Sequence, residues 1–284
     1  MTASIRHRPL AVVTGAGSGF GAAIVTALAQ DGWQVIAGVR ETNTEVPREH
    51  GGTLFQLDVC SARDRAALAR HIDAAHDGRL DLLVNNAGGG LFGAHEDVSE
   101  AQLRAQFEIN LFAPALLIGA LSPALRAGRG RVITISSALA HWPMPFTSGY
   151  CASKSAIDAF SGALHFELAP YGVQVALVEP GAHGTAFLRK ASWAEPPHNN
   201  VYSPALANYR KFRDDQNQRQ NLPGPDKVAR AVARLAGRRR MPLRVRVGAD
   251  AHLLGVLRRI LPTAALVALK HHIFKRWFRR QAPD

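Results

Sequence analysis

From Pro9 to Gly181 the chain alternates short apolar runs with longer stretches of helical period, and this alternation restricts the fold more than any other feature. The runs PLAVVTG (9–15), WQVIAGV (33–39), TLFQLDV (53–59), LDLLVNNAG (80–88), GRVITISS (130–137) and VQVALVEPG (173–181) read as buried strands. Between them, 21–32, 62–76, 99–128 and 148–172 place apolar residues at helical spacing. Ser99 is positioned to cap the third of these, and Pro114 and Pro123 to kink or divide it. A β-α-β-α order of this kind predicts an α/β fold, with a doubly wound parallel sheet covered by helices on both faces.

The chain has 284 residues, 47% of them hydrophobic, which suffices for one large domain with a core of its own. Two cysteines, Cys60 and Cys151, give no disulfide framework and fit a reducing, cytoplasmic setting. The first apolar run reads as a strand rather than as a signal peptide. The net charge is +12, but twelve Lys/Arg stand from Arg238 onward against only Asp250 and Asp284. The basic character therefore belongs to the C-terminal end and does not mark the whole chain as a nucleic-acid binder. After Gly181 the rhythm loosens. A helix is expected over 203–220, another over 226–237, an edge strand over 243–248, and a helical tail broken near Pro262. The expected division is a domain over 1–250, including a lid over 182–224, followed by a basic amphipathic extension over 251–284.

The first strand runs straight into TGAGSGFG, Thr14 to Gly21, which opens the first helix. Gly15, Gly19 and Gly21 remove side chains where a dinucleotide's phosphates would approach the backbone. The helix N-terminus behind them supplies free N–H groups and the positive end of its dipole. At the end of the second strand, a carboxylate would favour NAD by bonding the ribose hydroxyl and repelling a phosphate. Val39 stands there instead, followed by Arg40, whose guanidinium can clamp a phosphate. NADP(H) is favoured on this ground and NAD(H) is the alternative. A solvated strand-end arginine is the plain reading of Arg40.

A third pattern lies in SSALAHWPMPFTSGYCASK, Ser136 to Lys154. Tyr150 and Lys154 are one helical turn apart, so their side chains share a face. A tyrosine hydroxyl has an ordinary pKa of about 10 and must fall by roughly three pH units, ~4 kcal/mol, to exchange protons freely near neutrality. A neighbouring ammonium, together with the charge of an oxidised nicotinamide, can supply such a shift. Ser137 ends a parallel strand, where ligands collect in such sheets, and can hold a substrate oxygen.

TGAGSGFG, NNAG (85–88), the serine with YCASK, and EPG (179–181) together resemble the short-chain dehydrogenase/reductase family, in its order and at its spacing over about residues 9–190. The resemblance implies a single Rossmann-type domain. It also implies hydride transfer between a nicotinamide and an alcohol or carbonyl. Tyr150 would be its acid/base, with Lys154 as pKa depressor and ribose ligand and Ser137 as substrate orienter. Asn110, in FEINLFA, would complete a proton relay. On the cofactor, Ser18 and Phe20 would join Gly15, Gly19 and Gly21. Asp58 and Val59 would meet the adenine, and Asn86, Ala87 and Gly88 its ribose. Pro180, Gly181 and Thr185 would meet the nicotinamide end. One departure is Ser18, which stands where NADP enzymes of the family often carry a second basic residue. Within the family the motifs look most like the retinol and hydroxysteroid dehydrogenase branch. That implies an apolar alcohol or ketone, with Phe187, Leu188, Trp193, Tyr202 and Tyr209 as an apolar wall in the lid. The rival reading keeps the fold and loses the chemistry, leaving a protein that senses NADP(H). An intact Ser137, Tyr150 and Lys154 argues against it.

No histidine spacing suggests a metal site; His271 and His272 are adjacent and point apart on a helix. In the tail, Leu266, Val267, Leu269, Ile273, Phe274, Trp277 and Phe278 fall on one half of a helix, with Lys270 among them. His271, His272, Lys275, Arg276 and Arg279 fall on the other half. Such a helix suits an anionic membrane surface, or docking over the substrate pocket, or a partner subunit. It is too short to span a membrane. The family implies a homodimer or homotetramer.

Overall fold

A computed structural model describes residues 8–41, 52–187, 189–194, 201–218, 222–275 and 277–278. The strands are β1 (Leu10–Thr14), β2 (Gln34–Val39), β3 (Gly52–Gln56), β4 (Leu82–Asn85), β5 (Leu91–Phe92), β6 (Arg131–Ile135), β7 (Gln174–Pro180), β8 (Ser192–Trp193) and β9 (Arg244–Val247). Seven of them form one parallel sheet in the order β3-β2-β1-β4-β6-β7-β9. The order reverses between β1 and β4, and the crevice at their C-terminal ends is where such sheets bind ligands.

The helices are α1 (Gly19–Gln30), α2 (Ala62–Ala75), α3 (Glu100–Phe107), α4 (Ala113–Gly128), α5 (Ser148–Leu168), α6 (Ser203–Gln218), α7 (Asp226–Ala236), α8 (Ala249–Ile260) and α9 (Thr263–Phe274). Strand residues alternate between two apolar layers, as a period of two requires. Ala11 and Val13 pack beneath α1 and α7, against Ile24, Leu28, Val228 and Val232. Leu10 and Val12 face α2, α4 and α5, with Leu68, Ile72, Leu117 and Leu164. Burial on both faces explains why these strands read as unbroken apolar runs.

The expected helix over 99–128 starts as foreseen, with Ser99 and Gln102 closing a reciprocal capping box. It divides just before Pro114, at a π-helical turn over Glu108–Phe112. Proline has no N–H for the carbonyl four residues back, which is that of Asn110, so the ladder shifts there. Pro123 stays inside α4.

A third cluster covers the C-terminal ends of the strands. β5 pairs with β8, which ties the segment after β7 to the loop after β4. On it, Phe92, Phe146, Tyr209, Phe274 and Trp277 pack together with Phe187 and Trp193. The tail therefore docks onto the lid helix. Phe274 and Trp277 stack at 4.8 Å, Asn208 Nδ2 donates to the Trp277 carbonyl at 3.0 Å, and Phe278 stacks on Phe146. Lys270 lies over the Trp142 ring, which accounts for a lysine in the apolar half. Leu188, Arg276 and Arg279 lie outside the described residues.

Candidate active site

The glycine loop and the loop after β4 are clasped together across the reversal of strand order. Thr14 Oγ1 accepts from the backbone N–H groups of Asn86 and Ala87, both at 3.0 Å. Asn86 Nδ2 returns to the carbonyls of Thr14 and Gly15 at 2.9 and 3.1 Å. The approach is too close for side chains. A Cβ on Gly15, whose φ is +63°, would lie 2.9 Å from Ala87 Cα, and one on Gly21 would lie 2.2 Å from the Gly15 carbonyl. Ser18 precedes α1 without capping it, so the first N–H groups of the helix keep no side-chain acceptor. A dinucleotide's pyrophosphate suits that terminus.

Arg40 is exposed just past the end of β2. Sequence reasoning missed a second cation nearby. Lys190 Nζ lies 3.2 Å from Ser18 Oγ, and Thr185 stands 3.6 Å from where a Gly19 Cβ would be. The lid thus brings a lysine to the position where the loop lacks one. A separation of 172 residues hid the pair from any local pattern. Asp58 Oδ1 is turned inward to the Cys60 N–H, with Val59 buried beside it. Phe20 packs edge-on to His183. Pro180 ends β7, and Gly181 leaves room for Asp250, whose carboxylate accepts from the Ala182 N–H at 2.6 Å.

Ser137, Tyr150 and Lys154 meet beside this groove. Ser137 follows β6, and its hydroxyl hydrogen-bonds with the Tyr150 phenol. Tyr150 and Lys154 lie on the buried face of α5. Lys154 Nζ donates to the Ile135 carbonyl at 2.9 Å. Gly88 lets Asn110 and Lys154 approach one another, since a Cβ there would lie 3.0 Å from Asn110 Oδ1 and 3.7 Å from Lys154 Nζ. The π turn aims Asn110 at the loop after β4: its Oδ1 accepts from the Gly89 N–H and its Nδ2 donates to the Gly89 carbonyl and Ser153 Oγ, each at 3.0 Å.

Without a dinucleotide, burial sets the proton state of the phenol. Burial pushes Tyr150 up to about 12, against a smaller lowering by the Ser137 hydrogen bond. Burial also brings Lys154 down to about 8, with Asp158 opposing. Without a dinucleotide, the lysine charge goes to a backbone carbonyl and the phenol stays protonated. Phe187 closes the site, its ring 5.7 Å from that of Tyr150.

His141 joins buried Asp158 and Glu179 at 2.8 and 3.3 Å. Their ligand atoms lie close enough for a cation, and Arg244 Nη1 fills that place, 2.7 Å from each carboxylate and 2.9 Å from His141 Nε2. Asp158 also holds Ser136 through a short hydrogen bond, which steadies the strand end next to Ser137.

A model of the short chain dehydrogenases matches residues 9–195. Retinol dehydrogenase 8 of Bos taurus is 31% identical over 94% of this chain and 91% of its own length. A 3-ketodihydrosphingosine reductase of Bacteroides thetaiotaomicron is 30% identical over 84% and 87%. The structure of a short chain dehydrogenase from Burkholderia cenocepacia in complex with NADP superposes with a TM-score of 0.73 at 27% identity, covering 92% of this chain and 97% of that one.

The buried ammonium gives a stability test. A folded pKa of about 8 lies below the unfolded value, so the cost of the cation is complete below about pH 8. That cost fades as pH rises above about 8 and is gone above ~10.4, where the unfolded lysine also loses its proton. Lys154→Met should therefore stabilise the cofactor-free chain by about 1–3 kcal/mol at pH 7. In urea melts the gain should shrink between pH 8 and 10.5.

Proposed function

The chain is an oxidoreductase of the short-chain dehydrogenase family, and on that premise we propose that it uses NADP(H) to interconvert a hydrophobic alcohol and its carbonyl through Ser137, Tyr150 and Lys154. The observation that carries the reading is the Tyr150 phenol, hydrogen-bonded to Ser137 and one helical turn from the Lys154 ammonium, beside the glycine loop. A bound nicotinamide supplies or takes up the hydride at the substrate carbon. In reduction, Tyr150 gives its proton to the carbonyl oxygen, and Ser137 holds that oxygen by a hydrogen bond. Lys154, which donates to the Ile135 carbonyl, would hold the nicotinamide ribose of a bound cofactor, and its charge would stabilise the phenolate that proton loss creates. Asn110, held beside Lys154 across Gly88, orients the water that restores the proton.

Gly15, Ser18, Gly19, Phe20 and Gly21 cradle the pyrophosphate. Asp58, Val59, Asn86, Ala87 and Gly88 take the adenosine half, and Pro180, Gly181 and Thr185 the nicotinamide end. Arg40 and Lys190 favour the extra phosphate of NADP(H). The relatives named as a retinol dehydrogenase and a ketodihydrosphingosine reductase, with the aromatic cluster over Tyr150, support an apolar substrate.

A second copy of the chain fits the exposed Phe112, Leu116 and Phe166, the last 74% exposed. Leu253, Val256 and Ile260 stand exposed on α8 beside Arg258 and Arg259, which suits peripheral contact of a cytoplasmic protein with an anionic membrane surface. The division at residue 250 sets that extension apart from the domain it docks on. Sedimentation velocity and vesicle co-sedimentation measure these two associations; a monomer and an unbound chain would dismiss them.

Tyr150→Phe should lower kcat by about three orders of magnitude or more, with NADPH affinity within about twofold. Unchanged turnover would dismiss the chemistry. Arg40→Asp should cut the NADPH/NADH affinity ratio by about 100-fold, measured by calorimetry. Lys190→Ala should weaken NADPH binding by about 10–100-fold, since a hydrogen bond to a charged group contributes about 1.5–3 kcal/mol.

A further inference from the structure

The aromatic cluster beside Tyr150 contains two hydrogen-bonding groups, the Tyr209 hydroxyl and Arg213 Nε, that pair with none of the described residues. α6 carries Tyr209 and Arg213 one turn apart, on one face. Tyr209 is 0% exposed and its hydroxyl has no hydrogen-bond partner. Arg213 Nε is likewise buried and unpaired. No carboxylate among the described residues pairs with this guanidinium; it faces π systems, with Cζ 5.2 Å from the Phe92 ring centre and 5.9 Å from that of Tyr209. Asp214 and Asp215 follow it on α6 but are exposed to solvent. Both groups belong to the aromatic cluster that packs against Tyr150. The Phe92 ring lies 6.0 Å from Tyr150 and 6.4 Å from Tyr209.

An orphaned buried hydroxyl costs about 1–3 kcal/mol, and a buried guanidinium N–H left without an acceptor costs a similar amount. Cation–π contact returns only about 0.5–2 kcal/mol of that. Hydrophobic substrates alone would leave both groups unsatisfied, and an apolar chamber gains nothing from them. A carboxylate answers both. The planar guanidinium takes it by paired N–H···O bonds, and the phenol donates a third bond. The low local dielectric makes such a pair stronger than it would be in water.

We infer that Tyr209 and Arg213 form a second polar anchor, which binds the carboxylate of an apolar oxo or hydroxy acid whose reacting carbon lies at Tyr150. The substrate's hydrocarbon part lies against Phe92, Phe146 and Trp193, and the acid end is held by α6. The inference rests on the proposed alcohol–carbonyl chemistry for the reacting end only; the anchor itself is a binding site. It rejects ammonium-bearing substrates, because Arg213 is a like charge with no acceptor to offer.

The test uses the full-length protein and tryptophan fluorescence, since Trp193 and Trp277 line the cluster. Dodecanoate and dodecan-1-ol are titrated against the wild type, Tyr209→Phe, Arg213→Gln and Arg213→Lys. The wild type should bind the carboxylate about tenfold or more tightly than the alcohol. Arg213→Gln should abolish that preference, Tyr209→Phe should lower it by about 3–10-fold, and Arg213→Lys should keep part of it. NADPH affinity and far-UV circular dichroism unchanged from the wild type show that each variant folds. A second arm compares kcat/KM for a long-chain oxo acid and its methyl ester with NADPH. Equal binding of dodecanoate and dodecanol by the wild type, or an unchanged preference in Arg213→Gln, overturns the anchor. Carboxylate binding through Arg213 without turnover of any carbonyl would keep the anchor and dismiss the chemistry. Turnover of uncharged ketones and esters with no acid preference would do the reverse.

Discussion

Everything in the site is referred to the hydrogen bonds that Thr14 makes across the reversal point of the sheet. β1 ends in a side chain that accepts two backbone N–H groups from the loop after β4. Those bonds fix the glycine loop against Asn86–Gly88, and so fix the N-terminus of α1 relative to β4. From there the geometry passes outward. Gly88 sets the spacing of Asn110 and Lys154, and β6 pairs with β4 to bring the strand end before Ser137 alongside. A parallel sheet buried on both faces makes this frame rigid, because a register slip would expose an entire apolar face.

On that frame, burial governs proton state. Tyr150 and Lys154 are both withdrawn from water, and each is driven toward its neutral form, the phenol up to about 12 and the amine down to about 8. The closed chain without a dinucleotide is therefore set as an acid rather than as a base. A cationic nicotinamide and a lysine redirected from the Ile135 carbonyl would reverse that balance, in a medium where each charge acts strongly. The same closure explains the lid. Phe92 and Phe187 lie against the Tyr150 ring, the tail residues Phe274 and Trp277 pack farther out in the same cluster with Tyr209, and Lys190 ties the segment after β7 to the glycine loop.

Much of this was legible in the sequence, and the residues show why. Strands buried on both faces announce themselves as apolar runs, and a turn that admits no Cβ announces itself as glycine. Tyr150 and Lys154 are read from helical spacing because their relation is local. Pro114 pointed to a break in the helix, though not to the π turn that aims Asn110. What stayed hidden depends on distant pairing. Lys190 on Ser18, the two-residue strands β5 and β8, and Arg244 between Asp158 and Glu179 leave no local period. The apolar half of the tail has several destinations open to it in sequence terms. Only packing separates the residues that dock, Phe274 and Trp277, from those that stay exposed, such as Ile260. Burial, which sequence spacing does not carry, sets the proton state of Tyr150 in the chain without a dinucleotide.

The central claim is that burial keeps the Tyr150 phenol protonated until an oxidised dinucleotide arrives. It is tested most directly by titrating ring-labelled tyrosine by NMR, with Tyr150→Phe assigning the resonance, in the presence and absence of NADP⁺. The account predicts a phenol that stays protonated to about pH 12 in the cofactor-free chain. With NADP⁺ bound, its pKa should fall by several pH units toward neutrality. A Tyr150 pKa already near neutrality without cofactor, or one that NADP⁺ leaves unmoved, would contradict it.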